Sequence, residues 1–373
     1  MTVSVRSAWA CINLTHLCEN LDAIWNGRPQ RSLVAVVKAD AYGHGAVRVA
    51  RRLADEGVTM LAVANVAEAA ELRSAGLETP ILLLGAYTRM ECEDILDLDL
   101  AAAVSSVVFA EDLDRTAARR KVRAKVHIKV DTGMSRLGIP SAKAIEAITR
   151  ISVLSNLALE GIFTHFACSD EEDKTFTMRQ VNEFSRVIAA LEGMGVRFVY
   201  QHAAASAACM EVPEAHFNCL RPGIALYGLH PACGCGAGVK LRPVMEFASR
   251  VVHVERHPAG ATVGYGRTHK LAKDSALAVI SAGYADGYDR RFSDKAVVTI
   301  NGVEARVVGR VSMDLTSVDV TQVADVKVGD KAVLFSTNPK APNSVENLAR
   351  LIDTIPYTLT CGVSKRVERV YEG

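Results

Sequence analysis

The sequence predicts an α/β protein: a TIM-type (β/α)8 barrel followed by a mostly-β C-terminal domain. Three observations carry that expectation. The first two-thirds of the chain alternates short apolar runs with longer amphipathic segments, the pattern of βα units whose strands are buried on both faces. Eight such runs can be counted, the number that closes a barrel. Beyond a stretch rich in glycine and cysteine at Ala232 to Gly238, strand-like runs follow one another across turn signals with no clear helix between them.

The eight runs are Leu33 to Val37, Met60 to Ala64, Ile81 to Leu84, Leu100 to Val104, Val126 to Val130, Leu157 to Phe163, Phe198 to Tyr200 and Ile224 to Leu229. The fifth and sixth carry a charge inside the run, which weakens their pattern. Helical segments are expected at Glu68 to Ser74, at Ser141 to Ile151 with Ser141 as cap after Pro140, and at Lys174 to Gly193. An open doubly wound sheet is the competing arrangement. In the C-terminal part, strands are expected at Met245 to Val254, Ala276 to Ile280, Ala296 to Ile300, Ala305 to Val311 and Lys331 to Phe335. Pro258-Ala-Gly, Asn301-Gly302 and Val328-Gly-Asp punctuate them. We place the barrel at residues 1–237 and the β domain at 238–373, with the first ten or so residues available to pair with the β domain.

Composition narrows the function. Of 373 residues, 49% are hydrophobic and 23% charged, an ordinary globular balance. The 43 Lys and Arg against 42 Asp and Glu leave a net charge of +1, which gives no reason to expect nucleic acid or a membrane surface as partner. No apolar stretch approaches the roughly 20 residues that span a bilayer. The N-terminal decapeptide lacks a basic region followed by an apolar run, so no secretory leader is expected. Nine cysteines in a chain of this size read as reduced thiols in the cytoplasm. Cys233 and Cys235 form the one close pair. No second pair at matching spacing lies near, so a loop is expected there and no metal site.

The chemistry is concentrated in separate blocks. V-V-K-A-D-A-Y-G-H-G, Val36 to Gly45, places Lys38 just after an apolar strand and before a glycine-rich turn, hence at the C-terminal rim of a barrel, where active sites form. Desolvation at such a place lowers an amine pKa and frees its lone pair for Schiff-base chemistry. From position alone, a solvated lysine at a strand end is the commoner case. Further blocks are K-V-D-T-G-M-S-R-L-G (Lys129 to Gly138), F-T-H-F-A (Phe163 to Ala167), H-A-A-A-S-A-A (His202 to Ala208) and L-R-P-G-I-A-L-Y-G (Leu220 to Gly228). In the second domain come V-G-Y-G-R-T-H (Val263 to His269), G-Y-A-D-G-Y from Gly283 and G-R-V-S-M-D from Gly309, then C-G-V-S-K-R-V-E-R-V from Cys361.

In this order, and across nearly the full chain, these blocks resemble the alanine racemases, pyridoxal-phosphate enzymes of fold type III. The resemblance implies an isomerase that interconverts L- and D-alanine by a two-base mechanism and supplies D-alanine for peptidoglycan. It implies that Lys38 binds the cofactor covalently and acts on one face of the substrate, while Tyr265, from the partner subunit of a head-to-tail homodimer, acts on the other. It assigns the cofactor phosphate to Tyr42, Ser206, Gly223 and Ile224, the pyridine nitrogen to Arg221, and the phenolic oxygen to Arg136, which also meets the substrate. Lys129 would carry a carbamate that holds Arg136, a planar anion suited to a guanidinium fork. His165 would link the second base to Arg221. Tyr284 would limit substrate size at the entrance, and Met313, supported by Asp314, would bind the substrate carboxylate through its backbone. A tyrosine working as a base near pH 7 needs roughly three units of tuning, about 4 kcal/mol.

The chain departs from the family pattern at three points: Ala205 stands where asparagine is common, Ser312 where cysteine is common, and Lys365 where well-known members carry a phosphate-binding tyrosine. Lysine can bind phosphate as a point charge, so Lys365 is included among the cofactor contacts. Because that position borders the substrate pocket, a serine or broad-specificity racemase on the same fold is the alternative. A non-catalytic pyridoxal-phosphate carrier would lack the β domain, and a fold-related decarboxylase has no need of a second base like Tyr265.

Overall fold

The computed structural model describes residues 8–25, 31–232 and 234–373. The first strands in the chain are β1 (Ala8–Asn13), β2 (Ser32–Val36), β3 (Met60–Val63), β4 (Ile81–Leu83), β5 (Leu100–Val104) and β6 (Ala124–Asp131). The two-residue β7 (Ile139–Pro140), then β8 (Leu157–Phe163), β9 (Tyr200–His202) and β10 (Cys219–Leu220) follow. Strands β2 to β6 and β8 to β10 pair in parallel and close into a barrel through β10 against β2 and β5 against β6, with β7 flanking β6. Every residue of β3, β4 and β5 is buried, as strands covered by helices outside and by barrel-filling side chains inside must be.

Three local expectations are corrected. The run Ile224 to Leu229 is not the eighth strand: Ile224–Tyr227 is a 3-10 turn, and the strand is Cys219–Leu220, just before Arg221-Pro222. A fully buried turn is as apolar as a buried strand, so periodicity cannot separate them. The seventh strand is displaced towards the polar residues Gln201 and His202, with Phe198 buried ahead of it. Ser141 is the first residue of its helix and makes no side-chain capping bond. The other two expected helices form at Val66–Ser74 and Thr175–Gly193. Cys233 lies outside the described residues, so the expectation about its pairing with Cys235 does too.

The second part of the chain adds β11 (Met245–His257), β12 (Thr262–Val263), β13 (His269–Lys270), β14 (Ser275–Ile280), β15 (Val297–Ile300), β16 (Val303–Val307), β17 (Thr316–Asp319), β18 (Lys331–Phe335) and β19 (Glu368–Glu372). The thirteen-residue β11 pairs with β18 and with β14, which closes six of these strands into an antiparallel ring. β1 joins this sheet between β11 and β19, and one continuous apolar core runs from barrel to β domain. Two short helices, Val345–Leu351 and Pro356–Gly362, return the chain to the barrel mouth. Among the described residues no helix is long and apolar enough to cross a membrane.

Candidate active site

Lys38 emerges at the C-terminal end of β2, and the chain then does something unusual. Ala39, Asp40, Ala41 and Tyr42 all adopt left-handed helical geometry, φ 52 to 55° and ψ 37 to 51°. For residues with a Cβ this costs roughly 1–2 kcal/mol each, so the surroundings must impose it. They do so with bonds at both ends. Ala41 N–H donates to Val37 O at 2.9 Å, Gly45 N–H to Asp40 O at 2.9 Å and Ala46 N–H to Asp40 Oδ1 at 2.7 Å. The Arg369 guanidinium donates twice to Gly43 O, at 3.0 and 3.1 Å. Gly43 has φ 83° and lies so close to the Thr360 backbone that no side chain fits; this accounts for the first glycine of the motif.

Lys38 opens into a cavity of about 260 Å³ that Tyr42, His165, Ser206, Arg221, Gly223 and Ile224 also line. Ser206 Oγ accepts from the N–H of Gly223 at 2.9 Å and of Ala225 at 3.2 Å, which draws this backbone into a cradle. A methyl group on Gly223 would run into the Tyr42 hydroxyl. The Tyr42 ring packs on Tyr227 and Tyr357, with centroids 4.9 and 5.9 Å away, and burial pushes its phenol pKa up.

Beneath the cavity lies a concentration of buried cations. Arg221, only 3% exposed, donates to Thr164 O at 2.9 Å, to His165 Nδ1 at 3.1 Å and to His202 Nδ1 at 3.3 Å. His202 Nε2 in turn meets His127 Nδ1 at 2.9 Å. Since arginine only donates, His165 and His202 must carry their protons on Nε2, and His202 then donates to His127. Burial holds all three imidazoles neutral, reinforced by the Arg221 charge. Burial brings Arg221 down to about 10, still protonated at neutral pH. Lys129 is brought down to about 8 by burial and then by Arg221, Arg136 and Lys38. Lys38 is lowered by burial, then by Arg136 and Arg221. Arg136 itself is exposed, on a turn that Asp131 Oδ1 builds by accepting the N–H groups of Gly133, Met134 and Ser135 at 2.9, 2.9 and 3.1 Å. The arrangement favours a neutral amine beside an anionic ligand.

Tyr265, Tyr284, Met313, Asp314 and Lys365 do not line this cavity. Tyr265 sits at the tip of the β12–β13 hairpin with 70% of its surface exposed, and Met313 and Tyr284 are 53% and 42% exposed. The hairpin leans on Arg310, and Tyr284 N–H donates to Ser312 O at 3.0 Å, so these segments form one face of the β domain. Asp314 pairs with Arg366 at 2.7 Å, and Lys365 is exposed. Three groups at the rim were not found by sequence reasoning. Tyr357 lines the cavity from the second domain. His202 and His127 stand 75 residues apart, and nothing in the sequence joins them. Glu68 bonds beside Lys38; the spacing Asn65-x-x-Glu68 is a capping pattern that could have drawn notice.

Comparison with known proteins shows the family. The family model "Alanine racemase, N-terminal domain" matches residues 12–231, and "Alanine racemase, C-terminal domain" matches residues 244–371. An alanine racemase from Desulforamulus reducens is 43% identical over 98% of this chain and 99% of its own. One from Clostridium tetani is 40% identical over 98% and 96%. A solved alanine racemase from Clostridium difficile 630 superposes with a TM-score of 0.94 at 36% identity, covering 100% of this chain and 97% of that one. Another, from Bartonella henselae and described with covalently bound pyridoxal phosphate, gives 0.88 at 28% identity over 98% and 99%. The chain belongs to the alanine racemase family.

Proposed function

We propose that this protein is a pyridoxal-phosphate-dependent racemase that interconverts L- and D-alanine in the cytoplasm, supplies D-alanine for peptidoglycan, and works as a homodimer whose two sites are shared between subunits. The observation that carries the reading is the Lys38 amine at the rim of a closed barrel, opening into the cavity with its pKa lowered by burial and then by Arg136 and Arg221. We assign residues 1–237 to the barrel and 238–373 to the β domain, with β1 belonging to the latter sheet.

The residues present fit pyridoxal phosphate. The Gly223 cradle admits no Cβ, as close backbone approach to an anion requires, and the surplus of cations matches an anionic ligand. Tyr42, Ser206, Gly223 and Ile224 would hold the phosphate, Arg221 the ring nitrogen and Arg136 the phenolic oxygen; Lys365, exposed and outside this cavity, is not among the phosphate contacts. Bound there, the cofactor would supply a conjugated ring that disperses negative charge from the substrate α-carbon.

The protein's own groups do the proton work. Lys38 Nζ, its pKa lowered by burial and by Arg136 and Arg221, takes or gives the α-proton on one face. Tyr265 of the partner subunit does so on the other. Arg221 stays protonated and does not release its proton, so a ring nitrogen facing it stays unprotonated. His165 carries its proton on Nε2 and offers it towards the second base. The backbone of Met313 of the partner subunit, supported by Asp314 of the partner subunit, would bind the substrate carboxylate, and Tyr284 of the partner subunit would narrow the approach.

Incubation with L-alanine in deuterated water tests this. The expected product is D-alanine carrying deuterium at Cα, with the rate reduced at least about a thousandfold in Lys38→Ala. Absence of D-alanine from a cofactor-loaded wild-type protein would overturn the assignment.

A further inference from the structure

We propose that Glu68 is a positioning residue for Lys38: its carboxylate bridges the first two strand-to-helix loops of the barrel and holds the backbone on which the amine is mounted. The inference rests on reading Lys38 as the reactive amine. Glu68 Oε1 accepts from Ala39 N–H at 2.8 Å, and Glu68 Oε2 accepts from Ala64 N–H at 2.8 Å. Both are charge-assisted bonds from backbone, the stronger kind.

The carboxylate is aimed from its own helix. Asn65 caps Val66–Ser74, and its Oδ1 accepts from Glu68 N–H at 2.9 Å. An ordinary capping box would spend the glutamate on the cap residue's own N–H. Here it reaches one residue further back, to Ala64, and across to the neighbouring loop. The anchor is firm, because Ala64 O is packed so tightly on Gly85 that no side chain fits there. At the other end, Ala39 is the first of the four left-handed residues and the immediate neighbour of Lys38. Arg369 and Asp40 secure the far end of that turn; Glu68 secures the end that carries the amine.

Glu68 has an electrostatic role at the same place. The charged or titratable groups acting on Lys38 are Arg136, Arg221, Lys129, His165, Glu68 and Cys361. Burial, Arg136 and Arg221 disfavour its protonation, and Glu68 opposes them. Asp40 turns instead to the Ala46 N–H. Glu68 therefore both fixes where Lys38 stands and limits how far its pKa falls.

The test compares wild type with Glu68→Gln and Glu68→Ala. In the cofactor-free protein, amide exchange at Ala39 should speed up at least about tenfold in both variants. The Lys38 amine should titrate lower than in wild type. That titration can be read by NMR of 13C-methylated lysines, with Lys38→Ala for assignment. In the loaded enzyme kcat should fall about tenfold or more, while KM for alanine changes by less than about twofold. Glu68→Gln keeps size and one acceptor oxygen, so it serves should Glu68→Ala fail to fold. Wild-type exchange, titration and kcat in Glu68→Gln would overturn the proposal. A wild-type protein without racemase activity would instead refute the reading of the site, while exchange and titration would still judge the clamp.

Discussion

The barrel rim and the outer face of the β domain carry the two halves of the predicted site, and they are built in opposite ways. At the rim, side chains are buried and over-determined. Arg221 makes three hydrogen bonds at 3% exposure, and the turn after Lys38 is wound against its own preference and held from several elements. On the β domain, Tyr265, Met313 and Tyr284 stand 42 to 70% exposed on short turns. A rim that stores strain and buried charge gives up stability for function. A face of large exposed side chains on a firm sheet is what a surface made to enter another molecule looks like. The contrast places the amine and its electrostatic surroundings in the barrel cavity and Tyr265 on a separate exposed face outside it.

The largest stability effect expected from this contrast lies at Lys129, 7% exposed with its pKa brought from 10.5 to about 8. That displacement corresponds to about 3 kcal/mol. Because the folded value lies below the unfolded one, the folded state binds fewer protons between them. The penalty is full below about pH 8 and is relieved as pH rises towards 10.5. Cofactor-free Lys129→Met in bicarbonate-free buffer should therefore be more stable than wild type at pH 7 by up to about 3 kcal/mol. Denaturation across pH should show the gain shrinking between pH 8 and 10.5; a difference independent of pH would break the comparison. A smaller effect is expected at exposed Ala39, φ 54°. Ala39→Gly should relieve left-handed strain and raise stability by about 1 kcal/mol in urea titration. A loss of that size would mean the turn is not strained.

Much of the fold was legible in the sequence because buried parallel strands leave continuous apolar runs, as in Leu100–Val104. The eighth strand was not, because β10 is only two residues long and the apolar run that follows it is a buried turn. The rim residues were legible as motifs: Lys38, Tyr42, His165, Ser206, Arg221, Gly223 and Ile224 all line one cavity. Their supports were hidden, because those contacts are long-range. Four residues with side chains would not be assigned left-handed geometry by local preference; Glu68, Arg369 and Thr360 impose it from elsewhere in the chain. His127 and His202 read as isolated polar residues until the barrel brings β6 and β9 to either side of β8.

The division of the site between two chains can be measured most directly by mixing Lys38→Ala with Tyr265→Ala. Each should be inactive alone. After subunit exchange at equal amounts, half the dimers are mixed and each of those regains one intact site, so racemase activity should return to about a quarter of wild type. Activity in Tyr265→Ala alone, or a mixture that stays inactive although differently tagged subunits are recovered in one dimer, would contradict a site completed by the partner's Tyr265.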